Sequence, residues 1–106
     1  MNKIHTTIEE SKKLIELGID VNTADIIYNI FGESYIRHDT PIDKYHTPAW
    51  SLSALIKMFD DKAGLARDYG LWYCYDNGKS HRTKHYDSPI DAAFEMVCWL
   101  LENKKI

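Results

Sequence analysis

Residues 71–87 read LWYCYDNGKSHRTKHYD, an aromatic half joined through Asn77 and Gly78 to a basic half. Asn-Gly between two alternating segments predicts a β-hairpin, because the type I′ turn needs positive φ at both central residues. A two-residue loop fixes the register. Asp76 is then expected to face Lys79, Cys74 to face His81, Tyr73 to face Arg82 and Trp72 to face Thr83. Alternation puts Arg82 and Lys84 on one face with Leu71, Tyr73 and Tyr75, and Trp72, Cys74, His81, Thr83 and His85 on the other. The preceding GLARDYG, residues 64–70, offers a third strand.

Helix signals surround this ribbon. Thr7 and Glu10 have capping-box spacing, in which each side chain satisfies an orphan backbone N–H. Ile8, Leu14, Ile15 and Leu17 share one face, and Gly18 suits the left-handed residue that closes a helix, with Ile19 folding back on its last turn. A second helix carries Leu52, Leu55, Ile56 and Phe59 at i, i+3, i+4 and i+7. Thr47 or Ser51 is its expected cap, with Pro48 in the first turn. The third begins at Ser88, with Pro89 at the first helical position and Asp91 completing the box. Its expected core stripe is Ile90, Phe94, Val97 and Leu101, flanked by Ala93 and Leu100. Between these elements, ADIIYNI and SYIRH have strand composition and Gly32 marks a turn, while DTPIDKYHTP reads as irregular loop.

The sum is an α+β domain spanning residues 1–106, about three helices packed on a small antiparallel sheet or meander. The chain is 44% hydrophobic and 27% charged, with a formal net charge of −3, so nothing general draws it to nucleic acid or an anionic membrane. No apolar h-region follows Met1, and no run approaches the roughly 18 apolar residues of a membrane span. Cys74 and Cys98 lack CxxC spacing and read as reduced, buried thiols of a cytoplasmic protein.

The segments TIEESKKLIELGID, TPAWSLSALIKMF and SPIDAAFEMVCWLLENK resemble small uncharacterised proteins carried by phages and mobile elements of gut anaerobic bacteria. The matching pieces are residues 11–20, 48–55 and 98–103. Residues 26–46 and the ribbon lie outside them. The resemblance implies an origin and no activity.

Candidate chemistry is sparse. His81 and His85 are four apart, which on a strand is about 13 Å at a rise of roughly 3.3 Å per residue. One zinc with nitrogens at about 2 Å cannot bridge that span. No Gly-rich phosphate loop, G-x-S-x-G or HExxH motif is present. Asp60–Asp61 reads as a solvated helix exit. The expectation is therefore a non-enzymatic chain without metal or cofactor, acting through protein contact. Two surfaces are candidates. Tyr73, Tyr75, Arg82 and Lys84 form a stacking platform for a nucleic acid, although cross-strand aromatic and Arg pairs also stabilise ordinary sheets. Ala92, Met96 and Trp99 form an apolar stripe opposite Ile90 on the last helix. It is covered either by the first or second helix or by a protein partner, a homodimer mate included.

Overall fold

The computed structural model describes residues 3–38, 40–78 and 80–106. Among them lie three α-helices, α1 (Ile8–Glu16), α2 (Leu52–Lys57) and α3 (Pro89–Glu102), and five strands. The α+β class is as expected, but the strands divide between two sheets. β1 (Ile26–Tyr28) lies between β2 (Ser34–Ile36) and β3 (Thr47–Ala49), both antiparallel to it. β4 (Ala63–Asp68) and β5 (Leu71–Asp76) form a separate antiparallel ribbon.

Local chemistry sets the helix ends. The Thr7 hydroxyl accepts the Glu10 N–H, and Glu10 reaches back to the Thr7 N–H at 2.9 Å, completing the capping box. At the other end Gly18 takes φ 95°. The Gly18 and Ile19 N–H groups bond the Ile15 and Leu14 carbonyls, a Schellman closure that buries Ile19. α1 buries Ser11 and Leu14, while Ile15 stays exposed. Ser51 caps α2, its hydroxyl accepting the Ala54 N–H and donating to Asp25. Pro48 belongs to β3, not to the helix. It sits opposite Ile27, between the hydrogen-bonding positions of the ladder, where a missing N–H costs β1 nothing. The exit of α2 runs through Asp60 and Asp61, both exposed and both at positive φ.

The two-residue turn lies one hairpin earlier than predicted. Tyr69 and Gly70, at φ 52° and 82°, join Asp68 to Leu71 with the two positive φ angles of a type I′ turn. Gly78 does not take a left-handed φ. Asn77 is engaged elsewhere: its N–H donates to the Lys62 carbonyl at 2.8 Å and its side chain to the Asp61 carbonyl. Beyond it the chain returns along β5 in a looser register. Tyr75 bridges Arg82 and Trp72 bridges Tyr86, so the pairs expected for Cys74, Tyr73 and Trp72 are displaced and one extra residue is accommodated between the bridges, while Lys79, expected opposite Asp76, lies outside the described residues. That insertion is bulge-like. Buried Thr83 stitches it. Its N–H donates to the Cys74 carbonyl at 2.9 Å, and its hydroxyl accepts the Cys74 N–H at 2.8 Å.

α3 packs on β5, β4, α2 and α1. At about 100° per residue, Ile90 and Trp99 project in opposite directions. The expected pair of opposed stripes is in fact the two edges of one buried arc. Ala92, Met96, Leu100, Ala93, Val97 and Ile90 line that arc and are all buried. Phe94 and Leu101, placed at the centre of the core by sequence, are only half-buried. Trp50 anchors the other side of the core, fully buried, with its indole N–H donating to the Thr23 hydroxyl at 2.9 Å. Lys3 ties the layers together, pairing with Glu10 of α1 and Asp91 of α3, each at 2.6 Å. Asp91 therefore serves the lysine. The Ser88 hydroxyl, the expected cap, makes no cap bond and is buried without a partner. Among the described residues no helix is long and apolar enough to cross a membrane.

Candidate functional site

The aromatic surface of β5 is built by strand alternation. Cys74 points inward and is fully buried, while Tyr73 and Tyr75 point out. Tyr75 lies over its cross-strand partner Gly64, where a Cβ would collide with the phenol ring. The returning segment adds the cation, with the Arg82 guanidinium 5.0 Å from the centre of the Tyr73 ring. The bulge has turned His85 to this same face, 4.8 Å from Tyr73 and 3.5 Å from the Asp68 carboxylate. Sequence alternation had assigned His85 to the opposite face. Tyr73, Tyr75, Ser80, His81 and Arg82 line an open groove of about 560 Å³. Lys84 is exposed but does not line it, and its backbone N–H donates to the Glu95 carboxylate at 3.1 Å.

One end of the groove is held by Asp76. Its carboxylate accepts the His81 N–H at 2.6 Å and the Ser80 hydroxyl at 2.9 Å. Burial alone would raise this carboxyl, but the bonds from His81, Ser80 and the neighbouring backbone outweigh it and hold it below its ordinary range. His81 then stacks on Trp99, so the two surfaces singled out separately in the sequence meet there. Behind the stack a second hollow of about 350 Å³ runs along α3 past Tyr86, Glu95 and Cys98. The Tyr86 hydroxyl donates to Glu95 at 2.5 Å. Burial and this carboxylate push its phenol up to about 12.

The Ala92–Met96–Trp99 stripe is not a partner surface as a unit. Ala92 and Met96 are fully buried inside the chain, and Trp99 is half-buried beneath His81. Trp99 is covered by His81 from the segment after β5, while α3 also packs on α2 and α1. Cys74 and Cys98 are free and buried. Burial pushes both thiols up to about 12, with the Glu95 charge adding to it at Cys74, so neither is held as a nucleophilic thiolate near neutrality. Among the described residues no three His, Cys, Asp or Glu side chains converge as a metal-binding group.

A second surface was not singled out from the sequence. The β1–β2 hairpin exposes Ile30 (69%), Phe31 (81%), Tyr35 (51%) and Ile36 (69%). Its tip is ordered by Asn29. The amide oxygen accepts the Phe31 and Glu33 N–H groups, and the amide nitrogen donates to Glu33 and to the Tyr35 hydroxyl. Gly32 at φ 80° completes the turn. At its base the hairpin is clamped. The Tyr28 hydroxyl donates to the Thr6 carbonyl at 2.9 Å, and His5 Nε2 meets the Ser34 hydroxyl at 3.0 Å. Arg37 donates to the carbonyls of Asn22, Ala24 and Thr40. The apolar tip is thus presented on a fixed base. The strand composition of this segment was readable, but composition does not say which strand becomes an uncovered edge.

A scan against protein-family models, a search of curated proteins and a search of solved structures each return no match.

Proposed function

We propose that this chain is a small non-enzymatic interaction module that docks a protein partner through the β1–β2 hairpin. The observation that carries this reading is the concentration of Ile30, Phe31, Tyr35 and Ile36 on one ordered, solvent-exposed hairpin. Single exposed apolar residues are ordinary, whereas a cluster of them on the turn and edge strand of one hairpin marks a contact surface. The likeness of three segments to small proteins of phages and mobile elements fits an accessory role of this kind. Affinity capture with the wild-type chain and a Phe31→Ser/Ile36→Ser double variant tests it. The variant should keep its fold, because both side chains are exposed, and should lose a protein that the wild type enriches. Equal capture by both, or a loss seen only with Arg82→Ala, contradicts it.

A second reading has its own observation. Arg82 over Tyr73, beside Tyr75 in an open groove, has the composition of a platform for an unpaired base. Among the described residues Arg82 is the fixed cation that lines it, and the chain as a whole carries −3. Binding to a single-stranded oligonucleotide would then be weak, with a salt slope set by one or two phosphate contacts. Fluorescence anisotropy against salt separates the readings. Sub-micromolar affinity at physiological salt, abolished by Arg82→Ala, would make the groove the functional site.

A further inference from the structure

Resting on the hairpin as the docking surface, we infer that its occupant is a second copy of this chain, paired edge to edge along β2 about a two-fold axis at Tyr35. The backbone supplies the first argument. The Asn29 N–H donates to the Glu33 carbonyl and the Arg37 N–H to the Asp25 carbonyl, with Tyr35 opposite Ile27 between them. Glu33, Tyr35 and Arg37 therefore spend their backbone groups on β1. In an antiparallel ladder the intervening residues, Ser34 and Ile36, point theirs the other way. β2 is the outer strand of its sheet, and among the described residues no strand lies beyond it.

The register supplies the second argument. An antiparallel pairing centred on Tyr35 sets Ser34 against the partner subunit's Ile36, and Ile36 against the partner subunit's Ser34. Those are the residues whose N–H and C=O groups face outward. Each such pair exchanges both of its backbone bonds. Tyr35 meets the partner subunit's Tyr35 in the closer, non-hydrogen-bonded position. Glu33 then falls opposite the partner subunit's Arg37, so opposite charges flank the axis on both sides. A slip of two residues would break this charge match, and a slip of one would set outward groups against spent ones.

The third argument is that, its shortness apart, the strand lacks the usual edge protection. Residues 33–37 read ESYIR, with no Lys, no Pro and no charged side chain on the strand itself. The strand is short, so affinity rests on Ile36, Tyr35 and Phe31 adding side-chain contact to a few backbone bonds. A dissociation constant on the order of micromolar to tens of micromolar is expected. The arrangement is isologous and closes on itself, giving a dimer and no fibre.

Cysteine scanning reads the register directly. Buried Cys74 and Cys98 do not compete for mild oxidant. At Tyr35→Cys the paired Cα atoms would lie about 4.5 Å apart, within disulfide reach. At Ser34→Cys the new thiol would face an isoleucine. Non-reducing electrophoresis after mild oxidation should show a covalent dimer for Tyr35→Cys, and at least tenfold less for Ser34→Cys. Light scattering of the wild type should show a concentration-dependent dimer that Ile36→Pro reduces to monomer, since that change removes an outward N–H from an edge strand. Equal cross-linking at both positions, or a dimer untouched by Ile36→Pro, overturns the edge geometry. A wild type that is monomeric at hundreds of micromolar overturns self-pairing. The broader docking reading fails separately, if the Phe31→Ser/Ile36→Ser double variant still captures every protein that the wild type does.

Discussion

The imidazole of His81 lies flat on the indole of Trp99, ring centres 4.6 Å apart and planes 4° from parallel. The contact closes the open edge of the α3 arc. It also fixes the loop after β5, because the His81 N–H is held by Asp76 and the His81 carbonyl accepts the Asp76 N–H. His81→Ala should cost about 1 kcal/mol, the worth of a stacked aromatic pair. It should also shift Trp99 emission to the red, measured as a difference spectrum in a Trp72→Phe background. Unchanged emission would mean that Trp99 is covered by something else.

The Asp76 carboxylate gives the loop an acid limit. Its proton affinity is lower in the folded chain than its ordinary 3.8, so the folded state favours the ionised form. The stability this contributes is present above the unfolded value and is lost as pH falls through the folded one. The loop should therefore open below about pH 4, ahead of the core, and Asp76→Asn should make that opening independent of pH. Histidine and tryptophan resonances followed from pH 6 to pH 2 would show it. The same acid transition in Asp76→Asn would assign it to another carboxylate.

Three helix caps should respond differently to alanine. Thr7→Ala removes a capping box and Ser51→Ala removes a cap bonded to Asp25, so each should cost about 1 kcal/mol. Ser88→Ala removes a buried hydroxyl with no partner and should be neutral or slightly stabilising. Urea unfolding of the three variants checks the order.

The turn between β4 and β5 should be sensitive at a different glycine from the one the sequence points to. Gly70→Val forces a β-branched residue to positive φ and should cost about 1–3 kcal/mol. Tyr69→Asn should stabilise, since Asn tolerates the left-handed region and Tyr69 is fully exposed there. Gly78→Ala should cost less than Gly70→Val, because Gly78 needs no left-handed φ, although its new methyl presses at 3.1 Å on the Asp76 carboxylate that Ser80 and His81 hold. Thermal melts of the three variants decide.

What was legible in the sequence was local. Thr7–Glu10, Gly18 and the 3.6-residue stripes act over one or two turns, and they placed all three helices. Asn77-Gly78 has the stronger intrinsic turn preference, yet Tyr69-Gly70 makes the turn. Asn77 is drawn to Lys62 and Asp61 across the ribbon, and Thr83 lends its hydroxyl to Cys74, so tertiary bonds override the local preference. On α3 the pattern showed two apolar stripes without showing that an arc of roughly 160°, at about 100° per residue, joins them through Leu100 and Ala93. At the candidate site, Tyr73, Tyr75 and Arg82 were legible from alternation. His85 was not, because one inserted residue reverses the face of everything after it. Ile30, Tyr35 and Ile36 were read as strand material and Phe31 fell beside the Gly32 turn, and nothing more was read there, since burial at a sheet edge depends on neighbours far away in sequence.

Residue-resolved amide hydrogen exchange, recorded at low and high protein concentration, tests most directly the claim that β2 is an open docking edge. In dilute protein the Ser34 and Ile36 amides should exchange near free-chain rates while the Tyr35 amide, bonded to β1, is protected. At high concentration Ser34 and Ile36 should become protected and the Arg82 groove should not change. Protection of Ser34 and Ile36 at every dilution, or fast exchange at every concentration alongside changes confined to Arg82 and Tyr73, would contradict the account.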